Sequence, residues 1–289
     1  MTPTVLVQEV STLFSLPDVV VRLNSLIEGG DTSIRELAEV VELDPGLTTA
    51  VLKLANSSWY GLPSRVDTVS SALMMIGQKA LGNLALSASI VRTFRGIPDS
   101  LLDMQAFWDN SITCGVIARQ LGRAGNVREE ERLFIAGLLL GVGRLVFIAR
   151  RPEQYRQVLA VAPQGDAAMV EIERRLFGFD YAELGAELLK AWKLPEILQF
   201  LVGSHLSPLL AKAWQKEAAI AFTACDIAAR VAPAMHGHQA VADYVPDFKS
   251  EIWQRLGLEP TAIPDIIAAS MVQTFEVLQI VNPKGAMVF

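Results

Sequence analysis

The feature that most constrains this chain is a succession of helical segments, each bounded by residues that start or stop a helix. Ser33 and Glu36 have the spacing of a capping box, and an apolar helical face follows them. Asp44 and Pro45 begin the next helix, because proline at the first helical position sacrifices no hydrogen bond. We find no sustained alternation of apolar and polar residues beside turn signals, which would indicate strands. The sequence therefore predicts an all-α protein.

Glycine and proline mark a boundary between two predicted lobes. A long helical stretch, residues 78–94, ends near Gly96 and Pro98. We predict an N-terminal helical lobe and a second helical lobe, followed by a loop and C-terminal helices that pack on the second lobe. The predicted divisions are residues 1–98, 99–232 and 233–289.

The composition indicates a folded chain with a large core. Of its 289 residues, 51% are hydrophobic and 19% are charged, so the apolar content exceeds that of a typical soluble domain. The net charge of -6 argues against a general nucleic-acid binder, which usually carries a basic face. A nucleic-acid partner is therefore not expected.

Neither a signal peptide nor a membrane span is predicted. The N-terminus lacks a basic region followed by an apolar one. The most apolar stretch, residues 134–149, is interrupted by Gly141, Gly143 and Arg144. A membrane span needs about 20 apolar residues, so a core helix is the better interpretation.

The chain has two cysteines, Cys114 and Cys225, neither of which belongs to a CxxC pair. Both lie in apolar helical surroundings, and two buried, unpaired thiols are the favoured interpretation. Thiols of this kind are typical of a reducing compartment. We expect a cytoplasmic protein with no membrane partner.

Three segments together resemble the HDOD family of bacterial signal transduction proteins. The most specific match runs from Asp44-Pro45 to Tyr60-Gly61. The three segments are SIRELAEVVELDPGLTTAVLKLANSSWYGLP at 33–63, VSSALMMIGQKALGNLAL at 69–86 and FIAGLLLGVGRLV at 134–146. The resemblance covers roughly residues 13–231, and the tail that follows carries no motif that we can place.

The resemblance implies a multi-helix HDOD fold with an N-terminal helical lobe and a C-terminal lobe like that of HD phosphohydrolases. It also implies a signalling role, commonly alongside response-regulator or cyclic-dinucleotide pathways. Family members often lack demonstrated enzymatic activity. None of these implications follows from composition or spacing.

The resemblance also locates the positions of a catalytic HD site, where His and Asp side chains hold divalent ions that convert water into hydroxide. Asn110 falls at the first His, and Leu140 and Gly141 fall at the His-Asp dyad. Asp226 falls near the last Asp. One carboxylate cannot offset the dehydration of a divalent ion in an apolar cleft. We therefore expect no metal, no cofactor and no enzymatic activity.

Asn110, Arg144, His205 and Asp226 form the candidate vestigial pocket. Arg144 lies inside an apolar segment, where a cation needs a carboxylate or a phosphate. One hypothesis is an ion pair between Arg144 and Asp226 that replaces the metal site. The competing hypothesis is that Arg144 and Asn110 line a pocket for an anionic ligand such as a nucleotide.

His205 and Tyr181 both fall where relatives often carry His. For His205 we favour a helix-end residue bonded to a carbonyl or to solvent over a leftover ligand. For Tyr181 we favour a packing aromatic with its hydroxyl at the surface. His236 and His238 form an HxH pair, and a solvated loop is favoured over a metal site there.

Asn56, Ser57, Trp59 and Tyr60 are the candidate interaction patch. Asparagine and the following glycine suit a helix stop, and the aromatic rings suit a gap between helices. Aromatic groups beside amide donors also suit the recognition of a peptide or a base. Both interpretations stay open for different atoms.

The leading prediction is a non-catalytic module that couples a signal to a protein partner. One alternative is a metal-dependent phosphohydrolase or cyclic-dinucleotide phosphodiesterase with non-standard ligands. Another is a sensor that binds a nucleotide without turnover. The sequence predicts neither the partner's identity nor the oligomeric state.

Overall fold

The computed structural model describes residues 1–94, 97, 100–232 and 250–281. Within these ranges the chain forms α-helices, short 3-10 turns and no strand, which confirms the all-α prediction. The α-helices of the described residues are, in chain order, α1 Pro3–Val10, α2 Asp18–Gly29, α3 Ile34–Glu42, α4 Pro45–Ala55, α5 Val69–Ile76, α6 Gln78–Thr93, α7 Met104–Ala124, α8 Glu131–Leu139, α9 Val142–Arg150, α10 Pro152–Leu159, α11 Asp166–Phe177, α12 Tyr181–Ala191, α13 Glu196–Ser204, α14 Gln215–Val231, α15 Glu251–Leu256 and α16 Ile263–Val281.

The chain divides into two compact units. The large unit comprises Met1–Leu13 and Gly96–Met271, and the small unit comprises Phe14–Arg95 and Val272–Phe289. The division therefore assigns α1 to the large unit and falls inside α16. Both features differ from the division drawn on the sequence, which kept α1 with the N-terminal lobe and all of α16 with the second lobe.

The reason for the first difference is that α1 packs on α9 and α12. Arg151 donates from its two terminal nitrogens to the two carboxylate oxygens of Glu9, each at 2.9 Å. Thr4 Oγ1 donates to Glu187 Oε1 at 3.0 Å. These contacts join residues more than a hundred positions apart, so local sequence patterns could not reveal them.

The end of α16 belongs to the small unit for a similar reason. Glu276 Oε2 accepts hydrogen bonds from the Ser58 backbone N–H at 3.1 Å and from Ser58 Oγ at 2.6 Å. The carboxylate thereby holds the loop that follows α4. This contact explains why α16 is shared between the units.

The predicted helix starts of the small unit are present. Ser33 Oγ accepts from the Glu36 N–H at 3.2 Å, and the Glu36 carboxylate accepts from the Ser33 N–H at 2.9 Å. Asp44 Oδ1 accepts from the Leu47 N–H at 2.9 Å. Each side chain satisfies a donor that the first turn of a helix leaves without a partner. The predicted capping box and Asp44-Pro45 start are confirmed.

The apolar stretch of the sequence forms the centre of the large unit. Glu131–Arg150, which carries α8 and α9, is long and apolar enough to cross a membrane by length and composition. However, 83% of it is buried inside the protein. This degree of burial is that of a core segment, and it agrees with the interpretation made from the interrupting glycines.

Glycines let the central helices of the large unit approach closely. A Cβ placed on Gly137 of α8 would lie 2.6 Å from the Gly115 Cα of α7. A Cβ placed on Gly143 of α9 would lie 2.0 Å from the Tyr181 carbonyl oxygen and 2.8 Å from the Gly185 nitrogen of α12. Backbone atoms leave no room for larger residues at these crossings, which fix the positions of the side chains around them.

Gly143→Ala is therefore expected to lower the free energy of unfolding by about 3 kcal/mol, because the added methyl group meets backbone that cannot move aside. Gly29→Ala is the control, since a Cβ there meets nothing within 4 Å. It is expected to be neutral or to stabilise by less than about 1 kcal/mol. Urea unfolding followed by circular dichroism measures both, and an unchanged midpoint for Gly143→Ala would contradict the close crossing.

Candidate functional site

A cavity of about 290 Å³ lies within the large unit. Its walls come from α7, α11, α14, the turn between α8 and α9, and the ends of α12 and α13. All four residues of the predicted pocket and both dyad positions line it: Asn110, Leu140, Gly141, Arg144, His205 and Asp226. The structure thus brings together side chains that lie more than a hundred residues apart, while a ligand-binding role remains a prediction.

The polar side chains of the cavity do not suit the divalent cation that an HD site implies. Asn110 Nδ2 donates to the Ala232 carbonyl at 2.7 Å, and Asp226 forms an ion pair with Arg230 at 3.1 Å. Leu140 and Gly141 bring no donor atom. Among the described residues, no group of three or more His, Cys, Asp or Glu side chains is placed to hold a metal ion. The imidazole and carboxylates that do line the cavity are engaged elsewhere, His205 with Tyr181, Asp166 with Arg144 and Asp226 with Arg230, so they do not form the grouped ligand set that such a cation prefers.

Arg144 is the central charge of the cavity. Arg144 is 8% exposed. Its guanidinium forms an ion pair with Asp166, and its Cζ atom lies 3.8 Å from the centre of the Tyr181 ring. Burial by itself would lower the pKa of Arg144, but Asp166 and the surrounding acidic groups raise it well above its ordinary value. Arg144 therefore keeps its charge in the interior.

The predicted pairing of Arg144 with Asp226 is corrected. The carboxylate partner of Arg144 is Asp166, the first residue of α11, whereas Asp226 pairs with Arg230 one turn further along α14. The prediction was right that a buried cation needs a carboxylate and wrong about which one. Asp166 follows Gly165, whose φ of 100° favours glycine and turns the chain into α11.

Tyr181 connects Asp166 to His205. Its hydroxyl donates to Asp166 Oδ2 at 3.0 Å and lies 2.9 Å from His205 Nε2. The prediction of a surface hydroxyl is wrong, because Tyr181 is 2% exposed. His205 Nδ1 donates to the Val202 carbonyl at 2.8 Å, so the predicted helix-end bond to a carbonyl is confirmed.

These contacts limit the number of protons in the chain of three side chains. The Val202 carbonyl can only accept, so His205 Nδ1 carries a proton. The single phenol proton of Tyr181 can serve Asp166 or His205 but not both. Burial lowers the pKa of His205, and Arg144 holds the pKa of Asp166 below its ordinary value although burial opposes this. When His205 is neutral and Asp166 is ionised, the Tyr181 hydroxyl therefore has one proton to donate but two acceptors, Asp166 Oδ2 and His205 Nε2.

Glu173 is a buried carboxyl group that the sequence reading missed. Tyr155 donates to its Oε1 at 2.7 Å, and the Tyr181 N–H donates to its Oε2 at 2.8 Å. Burial raises the pKa of Glu173 to about 7, although Arg144 and both hydrogen bonds oppose this. A signal was available, since Glu173 shares a helical face with the apolar Val170.

Two residues of the candidate interaction patch make structural hydrogen bonds within the small unit. Asn56 Nδ2 donates to the Leu52 and Val66 carbonyls, each at 2.7 Å, and Asn56 Oδ1 accepts from the Val66 N–H at 2.8 Å. Ser57 Oγ donates to the Leu54 carbonyl at 2.6 Å. The amide of Asn56 therefore stops α4 and fastens the loop at Val66, as the helix-stop interpretation expects.

The aromatic part of that patch agrees with the interpretation that the rings fill a gap between helices, and the recognition role stays a prediction. Trp59 is 4% exposed and belongs to the core. Tyr60 is half-buried. His236 and His238 lie outside the described residues.

The HDOD domain family matches residues 13–208, which is more than half of the chain. The chain therefore belongs to the HDOD family. The predicted resemblance is confirmed.

Solved structures agree with this fold. A proposed phosphohydrolase from Shewanella amazonensis SB2B superposes with a TM-score of 0.76 at 24% identity, covering 96% of this chain and 97% of that one. An HDOD domain protein of unknown function from Geobacter sulfurreducens gives a TM-score of 0.76 at 22% identity with the same coverage. At these identities the likeness shows the fold alone.

A relative in sequence is an uncharacterized protein of Treponema pallidum (strain Nichols). It is 26% identical over 182 residues, which is 63% of this chain. The matched region spans 35% of that relative's length. Its remaining segments have no counterpart in the aligned part of this chain.

The pKa of Glu173 predicts how stability depends on pH. Between the ordinary value of 4.5 and about 7 the folded state holds a proton that the unfolded state has released. The free energy of unfolding therefore falls as pH rises through this window, by about 3 kcal/mol in total at 1.36 kcal/mol per unit. Below the window both states are protonated, and above it the loss is complete.

Glu173→Gln isolates this contribution, because glutamine cannot ionise. The variant keeps His205, whose lowered pKa makes the free energy of unfolding change with pH in the opposite direction. Wild type and variant are compared by denaturant unfolding at several pH values from about 5 to about 8. As the pH rises, the free energy of unfolding of the wild type is expected to fall steadily relative to that of the variant. A difference that stays constant with pH would rule out a buried, titrating Glu173.

Proposed function

We propose that this protein works in bacterial signal transduction as a non-catalytic HDOD protein of the cytoplasm. Its HD-like large unit would serve as a scaffold, and its surface would bind a protein partner. Family membership supports the signalling role through the resemblance set out above. The observation that carries the non-catalytic part is the donor set of the cavity.

That donor set supports the proposal in two ways. The positions where the family's catalytic members need imidazole and carboxylate hold Asn110, Leu140 and Gly141, which offer no anionic ligand. The remaining carboxylates are engaged, Asp166 with Arg144 and Asp226 with Arg230. A cation that recruited Asp166 would leave the buried Arg144 guanidinium without its carboxylate, which is strongly unfavourable. The exposed pair of Asp226 with Arg230 contributes less to this barrier.

Exposed apolar side chains of the small unit support the partner-binding part. Leu43 at the end of α3 is 70% exposed, and Met74 on α5 is 66% exposed. Met75 beside it is also exposed. α3 and α5 pack on each other. Exposed methionines adapt to varied partners because the thioether chain is flexible and polarisable.

Metal analysis with an activity assay tests the non-catalytic proposal. The purified chain is incubated with Mn²⁺, Fe²⁺, Ni²⁺ or Zn²⁺, desalted and analysed for bound metal. Hydrolysis of a cyclic dinucleotide and of a simple phosphate diester is followed in parallel. We expect far less than one metal per chain and no hydrolysis above the protein-free control.

The outcome that would contradict this is one tightly bound metal per chain whose removal by a chelator abolishes phosphodiesterase activity. The phosphohydrolase alternative would then replace the proposal. The triple variant Asn110→His, Leu140→His, Gly141→Asp provides a positive control for the location of the site. A Cβ on Gly141 approaches only the Phe107 ring, at 3.0 Å, so this variant is expected to gain metal affinity.

A second candidate function is a sensor that binds a ligand without turnover, and the cavity of about 290 Å³ favours it. An anionic ligand such as a nucleotide would be attracted by Arg144. However, Asp166 already neutralises that guanidinium. A phosphate group must therefore compete with Asp166 for Arg144, which predicts weak binding by the wild-type chain.

Removing each of the two charges in a separate variant tests whether the cavity binds an anionic ligand. Asp166→Asn is expected to increase the thermal shift produced by nucleotides, because it removes the competing carboxylate, and Arg144→Gln is expected to abolish it. Cyclic dinucleotides and nucleoside monophosphates are the probes, and thermal unfolding is the measurement. No shift for wild type and Asp166→Asn alike would exclude an anion site at Arg144.

A further inference from the structure

The two cysteines of the chain meet at the cavity wall. Cys114 lies on α7 and Cys225 on α14, two helices that pack along each other. Both residues line the same cavity, so the packing of α7 on α14 places the two thiols on one wall of it. Local sequence patterns do not indicate that the cysteines share a wall, because they are 111 positions apart.

The two thiols differ in access. Cys114 is 3% exposed, and the crossing of Gly115 with Gly137 presses its segment of α7 against α8. Cys225 is partly exposed. The hydrogen bond to Cys225, with burial and the charge of Cys225 as further causes, raises the pKa of the Cys114 thiol well above its ordinary value. Cys114 is therefore sheltered from solvent, while Cys225 is open to small reagents.

We propose that Cys114 and Cys225 form an oxidisable dithiol that a small hydroperoxide converts into a disulfide between α7 and α14. The arrangement of one accessible and one sheltered sulfur carries the proposal. It assigns Cys225 as the sulfur that the peroxide oxidises and Cys114 as the sulfur that resolves the product. A cavity of about 290 Å³ admits a molecule of this size.

The reaction balances in two steps. The Cys225 thiolate attacks one peroxide oxygen, the O–O bond breaks, and the leaving hydroxide takes up the proton that Cys225 released, so water and a sulfenic acid result. The Cys114 sulfur then attacks the Cys225 sulfur, the S–O bond breaks, and the thiol proton leaves with the hydroxyl group as a second water. The dithiol loses two electrons, and the peroxide gains them.

The bond would fix α14 to α7 beside the cavity. Asp226 and Phe222, which flank Cys225 on α14, both line the cavity, so its shape would follow the movement of that helix. Oxidation would thus change the cavity whether or not the cavity binds a ligand. The proposal does not depend on the signalling function proposed above.

The test uses the full chain, reduced with dithiothreitol, desalted and exposed to hydrogen peroxide. Intact-mass analysis is expected to show the monomer less two hydrogen atoms, with no thiol left for an alkylating reagent. The thermal unfolding midpoint is expected to rise and to return after reduction. A monomer that gains oxygen atoms but keeps its hydrogens, or a disulfide-linked dimer, would overturn the proposal.

Single variants test the order of events. In Cys114→Ser, and in Cys114→Ala as a second variant if the first fails to fold, the sulfenic acid on Cys225 has no resolving thiol and is expected to accumulate as a dimedone adduct. In Cys225→Ser, Cys114 is expected to survive peroxide as a thiol that is alkylated once the protein is denatured. Adduct formation on Cys114 in Cys225→Ser, or none on Cys225 in either Cys114 variant, would refute the assigned roles.

Discussion

The ion pair between Arg144 and Asp166, covered by the Tyr181 ring, is the interaction on which the site depends. A guanidinium buried without a partner would be very unfavourable, so the fold must deliver a carboxylate to it. It does so by starting α11 with Asp166 and α12 with Tyr181 at the same place. One cation on α9 thereby fixes the beginnings of two helices. An acidic group in the first turn of α11 is also favoured by the helix dipole.

The Arg144 guanidinium also determines which of the two nearby carboxyl groups has a lowered pKa. Asp166 contacts Arg144 directly, and its pKa is held down. Glu173 receives only part of the attraction and is fully buried, so desolvation prevails and its pKa rises to about 7. The two acids therefore differ in protonation near neutral pH because of their distance from one guanidinium and not because of their chemistry. Tyr181 contacts both, through its hydroxyl and its backbone N–H.

Features encoded by neighbouring residues could be predicted, whereas features encoded by helix packing could not. The capping box at Ser33 and the all-α class follow from spacings of a few residues. The family motif also placed Asn110, His205 and Asp226 at one cavity, because a motif carries three-dimensional information from the whole family. The partner of Arg144 lay beyond reach, since the alternatives Asp166 and Asp226 can be told apart only by the direction in which α9 faces. The meeting of the two cysteines depends on the rotation of α7 and α14 in the same way.

The internal balance of charges also bears on the proposal that the cavity needs no metal. In an HD site the cation neutralises several carboxylates, and removing it would leave them repelling one another. In this chain guanidinium groups from Arg144 and Arg230 neutralise Asp166 and Asp226, and the Asn110 amide is anchored on the Ala232 carbonyl. The helices around the cavity are thus held by contacts that the protein itself supplies. These contacts are what the proposed non-catalytic role requires of the cavity, because they leave no group of carboxylates whose repulsion a cation would have to offset.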